Sequence, residues 1–126
     1  MSDLLTVVTF YHGTDIDSAL DILNHGLNVE KLSSLQTTTQ IGPGWYTTLN
    51  VEVAWFFASL APGNFGRGYT VVEMDLAFDD LQQLIKMKLA KNNKIFNVPF
   101  IAAQYIFLPA SFDFLNKKGI LRPFRK

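Results

Sequence analysis

A chain of 126 residues, 48% hydrophobic and 17% charged, is long enough for one continuous core and too apolar for a disordered tail. The absence of cysteine excludes disulfides, thiolate nucleophiles and cysteine zinc sites together, and His12 and His25 alone make a poor metal-ligand set. A formal net charge of zero hides an asymmetry: residues 1–80 carry ten acids and two bases (−8), residues 81–126 nine bases and one acid (+8).

Such an asymmetry can mark an anionic partner. Lys86, Lys88 and Lys91 read as a solvated face. Lys117, Lys118, Arg122, Arg125 and Lys126 are then the residues that would touch a nucleic acid or an acidic protein. Only Phe124 interleaves them, which makes a nucleic-acid reading thin. The opening MSDLL lacks a basic n-region and no apolar window reaches membrane-spanning length. The expectation is a cytoplasmic protein with no membrane contact, or one exported by a route that leaves no leader.

In chain order, residues 4–10 (LLTVVTF) are rich in β-branched and aromatic side chains and predict a strand. Gly13 is expected to end it, leaving His12 at the strand's mouth beside backbone groups that a polar ligand could use. A strand-capping role for His12 is the plainer alternative. Residues 15–24 place Ile16, Ala19, Leu20 and Leu23 at helical spacing, with Asp15 or Asp17 as N-cap and Gly26 as C-cap. Residues 28–40 read as a polar loop that could cover a ligand.

Gly42-Pro43-Gly44 predicts a tight turn into a short strand, Trp45-Tyr46-Thr47-Thr48. Asn50 suits the N-cap of a helix whose Val51, Ala54, Trp55 and Ala58 share a face, so Phe56 and Phe57 cannot both join that face. The glycine-rich residues 61–68 lack the Gly-Lys-Ser/Thr ending of a phosphate cradle. Residues 69–76 predict a strand with Val71, Glu73 and Asp75 on one side. Asp80 and Gln83 resemble a capping box that opens a helix running to Leu89, with Leu81, Leu84 and Ile85 in its stripe. Residues 90–98 read as a basic, Asn-rich loop. Residues 100–108 (FIAAQYIFL) predict the most apolar strand, with Gln104 its one polar residue, ended by Pro109. A last strand or short turn follows. The pattern is α+β, a single domain over residues 1–126.

Tyr11-His12-Gly13-Thr14, the short helix, Gly26-Leu27, and Gly44-Trp45-Tyr46-Thr47-Thr48 with Ala54 and Phe57 together resemble the ADP-ribosyltransferase superfamily. The likeness is to its diphtheria-toxin and poly(ADP-ribose) polymerase branch, which carries a His-Tyr-Glu triad. Residues 69–76 look like that family's middle strand, and Ala103-Gln104-Tyr105-Ile106 like the strand bearing its glutamate. The resemblance implies two curved, mostly antiparallel sheets around an NAD-binding cleft with short flanking helices.

It also implies a task for each site residue. His12 would hydrogen-bond a ribose hydroxyl of NAD, and Gly13 would hold the nicotinamide amide through its backbone. Thr14 belongs to the same NAD-contacting motif. Tyr46 would stack on the nicotinamide ring, with Phe57 as a second stacking ring that lacks the family's hydroxyl. Gln104 departs from the family glutamate: it can accept a ribose hydrogen bond but brings no charge to an oxocarbenium-like transition state. A loss of that kind costs about 10²–10³ in rate. Glu73, Asp75 and Asp113 are not expected to replace it, since exposed or cap roles explain them. The implied activity is cleavage of the nicotinamide–ribose bond, as a mono-ADP-ribosyltransferase acting on an unknown protein or nucleic-acid acceptor, or as an NAD glycohydrolase. No metal is implied. The alternative is a catalytically impaired NAD or ADP-ribose binding module, and a structural domain with a chance motif ranks last.

Overall fold

A computed structural model describes residues 6–28, 44–60, 68–95 and 102–124. The polar loop from residue 29 on, the Gly42-Pro43 turn, the glycine-rich residues 61–67, residues 96–101, Arg125 and Lys126 lie outside them. Among the described residues six strands form one antiparallel sheet in the order β4-β5-β2-β1-β3-β6. They are β1 (Val7–Asp15), β2 (Trp45–Thr48), β3 (Tyr69–Ala77), β4 (Ala90–Ile95), β5 (Ala102–Phe107) and β6 (Ile120–Pro123). The helices are α1 (Ile16–His25), α2 (Val51–Ser59), α3 (Phe78–Lys86) and α4 (Phe112–Lys118). The α+β class therefore stands, but the expected pair of sheets is a single one, because β1 and β2 remain joined.

β1 does not stop at Gly13. It pairs with β3 residue for residue from Val7↔Ala77 to Asp15↔Tyr69, with His12 opposite Val72 and Gly13 opposite Val71. His12 is thus a mid-strand residue and not one at a strand's mouth. The glycine serves closeness rather than a turn: a Cβ at Gly13 would lie 1.9 Å from the Ala54 carbonyl oxygen and 2.7 Å from the Ala58 nitrogen. Small residues on α2 (Ala54, Ala58) and the missing side chain at Gly13 let the helix approach the strand closely.

α1 starts where the carboxylate of Asp15 accepts from the Ser18 N–H at 3.0 Å. It ends at Gly26, whose φ of +79° suits glycine and whose N–H donates to the Ile22 carbonyl. Asn116 of α4 holds that end, accepting from the Leu27 N–H at 2.8 Å and donating to its carbonyl at 3.0 Å. Asn50 caps α2 by accepting from the Glu52 N–H at 2.9 Å. α3 begins two residues before the expected capping box. Ala77 is its N-cap with no side-chain bond, because β3 runs straight into the helix and Asp79 and Asp80 sit in its first turn. There they favour the positive end of the helix dipole.

Pleating sends alternate side chains to opposite faces. Phe10, Trp45, Val72, Met74, Leu76 and Phe107 form the main core with Ala19 of α1, Leu81 and Leu84 of α3, and Phe112 and Leu115 of α4. Phe10 sits edge-on to Tyr105 (5.3 Å between ring centres) and to Phe107 (5.1 Å). Each fully buried leucine, such as Leu84 or Leu115, contributes about 1.5–3 kcal/mol. α2 covers the other face with buried Val53, Ala54 and Ala58. Its Trp55 packs edge-on against Tyr69 and Phe124.

Residues 90–95, expected as a loop, form β4, the edge strand beside β5. Lysines suit an edge, since they discourage pairing with another chain. The expected last strand is present as β6, preceded by α4, which the sequence reading did not anticipate.

Candidate functional site

The sheet is continuous on either side of one junction. Four Cα pairs join β2 to β5, from Trp45↔Phe107 to Thr48↔Gln104, and nine join β1 to β3. β1 and β2 share only Tyr11↔Thr48. This seam divides the sheet into β4-β5-β2 and β1-β3-β6.

A side chain bridges the seam. The Nδ1 of His12 lies 2.7 Å from the Tyr46 carbonyl oxygen. A carbonyl can only accept, so Nδ1 carries the hydrogen and Nε2 keeps its lone pair. His12 is 9% exposed, and burial lowers its pKa to about 4, outweighing the Tyr46 carbonyl and Asp15, which both raise it. The imidazole is neutral at pH 7.

The register separates the expected site residues. His12 shares the Phe10 face with Trp45, its ring 4.9 Å from the indole and inclined by 37°. Thr14 has the same parity and is buried, with its hydroxyl donating to Asp15 at 3.3 Å. Gly13, Tyr46 and Gln104 belong to the opposite, α2-covered face. Tyr46 pairs with Ile106, two residues from Gln104. Such diagonal neighbours are about 7–8 Å apart. Phe57 is half-buried on α2 and packs edge-on against Phe56, with ring centres 5.7 Å apart. The structure thus gathers Gly13, Tyr46 and Gln104 on one face, while His12 grips the Tyr46 backbone from the other. A ligand touching both His12 and Gln104 would have to pass through the seam.

Gln104 is 9% exposed and has no hydrogen-bond partner among the described residues. Among the described residues no carboxylate is hydrogen-bonded to it. Glu73, buried rather than exposed as expected, accepts from Arg122 Nε at 2.8 Å, and Asp75 accepts from both terminal nitrogens of Arg122 at 2.5 and 3.0 Å. The Thr9 hydroxyl also donates to Asp75 at 2.7 Å. Glu73 lies level with Gln104 but three strands away, through Thr48 and Tyr11, or about 14 Å. Asp113 is exposed in the first turn of α4.

Arg122 is therefore engaged internally and drops out of the basic tail. Lys117 and Lys118 stand exposed in the last turn of α4, where they complement the helix dipole. Among the described residues no group of three or more His, Asp or Glu side chains could hold a metal ion, and no helix is long and apolar enough to cross a membrane.

Three residues of the seam belong to the motifs that carry the resemblance, yet neither those motifs nor the sequence pattern assigned them a task. Tyr11 and Thr48 form its one Cα pair, and the half-buried Tyr11 hydroxyl has no hydrogen-bond partner among the described residues. Trp45 is the third: its indole Nε1 is the one fully buried side-chain nitrogen or oxygen atom without a partner among the described residues. Alternation places Tyr11 opposite His12 in facing, which was a usable signal. The pairing with Thr48 is long-range and leaves none. Compared with family models, curated proteins and solved structures, the chain matches none.

Proposed function

We propose that the chain is an NAD-binding, ADP-ribosyltransferase-like domain that cleaves the nicotinamide–ribose bond and transfers a single ADP-ribose to an acceptor, or to water. What supports the reading is the motif resemblance together with one observation: the seam lies where that resemblance would put the ligand. Gly13, Tyr46 and Gln104 lie on one face of it, and the Gln104 amide has no hydrogen-bond partner among the described residues.

In this reading Tyr46 stacks on the nicotinamide and Gln104 accepts from a ribose hydroxyl. His12 presents Nε2 to a hydroxyl from across the seam. The C1′–N bond breaks with its electron pair leaving on nicotinamide, and the nucleophile that attacks C1′ gives up its proton. Gly13 has one flank against the Ala54 carbonyl, so the nicotinamide amide would reach its backbone along the seam.

A second reading, a binding module without turnover, is favoured by the charge inventory. Gln104 is neutral, and Glu73 and Asp75 are committed to Arg122. Incubation of the chain with NAD, followed by chromatography for nicotinamide, separates the two. Release above the uncatalysed background supports the enzyme, and Gln104→Glu should raise it by about 10²–10³. Binding without release from either chain supports the module.

A further inference from the structure

Three aromatic side chains from distant parts of the chain meet at one end of the sheet, on the face that α2 covers. Trp55 stands in the middle of α2, Tyr69 opens β3, and Phe124 follows β6 directly. The Trp55 ring centre lies 6.1 Å from that of Tyr69 and 5.4 Å from that of Phe124, at interplanar angles of 66° and 88°. The backbone fixes the outer two. Tyr69 pairs with Asp15 of β1, and the Phe124 N–H donates to the Val71 carbonyl at 3.1 Å. The group does not close into a core: Tyr69 is 42% exposed, and Trp55 and Phe124 are half-buried.

Rings set at such steep angles make walls rather than a platform. A planar base can stack on one of them only. A compact cation in the corner between two walls lies within about 6 Å of both ring centres, where the negative π faces attract it. Two carboxylates stand beside the rings. Asp15 is the cross-strand neighbour of Tyr69, and Glu52, exposed, precedes Trp55 by three residues on α2. Hydrogen bonding then selects the cation. A plain ammonium carries three N–H donors and a guanidinium five, and ring faces satisfy them poorly. A quaternary ammonium has no N–H to leave unpaired.

We infer that Trp55, Tyr69 and Phe124 form a site for a quaternary ammonium group, that of a trimethylated lysine on a partner protein. The four-carbon stem of lysine delivers the group to a corner at the surface, and Glu52 is placed to pair with a second basic residue of the same segment. The site is independent of the NAD reading, since none of its three rings belongs to the seam.

The test follows the Trp55 indole N–H of the ¹⁵N-labelled full chain, assigned by its loss in Trp55→Phe, with the Trp45 signal reporting that each variant is folded. A short basic peptide with a trimethylated lysine should shift the Trp55 signal saturably and leave that of Trp45 in place. The same peptide with unmodified lysine should bind at least tenfold more weakly, as should the trimethylated peptide to Tyr69→Leu or Phe124→Leu. No saturable shift, or equal binding of the unmodified peptide, overturns the inference. Choline binding as tightly as the trimethylated peptide overturns the lysine source. Arg67 and Arg125, near Tyr69 and Phe124 in sequence, make a nucleic acid the competing occupant. A Trp55 shift with single-stranded oligothymidylate and none with the peptide decides for that competitor and against the cation site.

Discussion

The His12 imidazole and the Tyr46 carbonyl, 2.7 Å apart, tie β1 to β2 where the two strands share a single Cα pair. The donor is Nδ1, so the tie can be separated from the ring that carries it. His12→Asn keeps a donor near the Nδ1 position, whereas His12→Gln moves it toward the Nε2 position and His12→Ala removes it. Loss of that hydrogen bond costs about 0.5–1.5 kcal/mol. Urea unfolding should therefore rank Asn above Gln and Ala by about 1 kcal/mol, and equal stabilities would contradict the tie.

The same burial makes stability depend on pH. The folded pKa of His12 is about 4, below its ordinary 6.5. Above pH 6.5 neither state holds the proton and the contribution is complete. Between pH 6.5 and 4 the unfolded chain takes up a proton that the folded chain refuses, so stability falls by about 1.4 kcal/mol per pH unit. Below about pH 4 both states are protonated and the loss levels off. Unfolding free energies of the natural chain and His12→Asn, measured across that window, should differ by this slope. Parallel curves would show that His12 is accessible to protons in the folded state.

Gly13→Ala sets a Cβ 1.9 Å from a backbone oxygen of α2, which no rotamer change can relieve. The helix must lift from the sheet, at a cost of about 3 kcal/mol or more. Thermal unfolding should show the Tm reduced by about 10 °C or the protein unable to fold. A near-natural Tm would mean that α2 does not rest on β1.

Arg122 neutralises Glu73 and Asp75 and secures the four-residue β6 to β3. Its side chain is partly exposed and Glu73 is buried, so Arg122→Met falls between the exposed and buried cases, at about 2–4 kcal/mol. Adding Glu73→Gln to that variant should return part of the loss, because the buried carboxylate that has lost its Arg122 cation is removed. Strict additivity in a double-mutant cycle would show the pair to be uncoupled.

What the sequence disclosed was local. The caps at Asp15, Gly26 and Asn50 act within a few residues of themselves, and the β2 and β3 patterns were legible for the same reason. What it concealed was set by distant partners. Gly13 looks like a strand terminator until Ala54 is known to lie against it. The basic, Asn-rich residues 90–95 become a strand only because β5 offers a free edge. The site followed the same division: Tyr46 and Gln104 were singled out by the family resemblance, but their common face, and the placement of His12 on the other, come from the Tyr11↔Thr48 and Thr48↔Gln104 register.

The most direct measurement is an equilibrium titration of the chain with NAD, repeated on Tyr46→Ala. Binding at the seam predicts a saturable isotherm with one NAD per chain, and at least a tenfold weaker one for Tyr46→Ala, corresponding to about 1.4 kcal/mol. An isotherm with no saturable component, or one that Tyr46→Ala leaves unchanged, would contradict it.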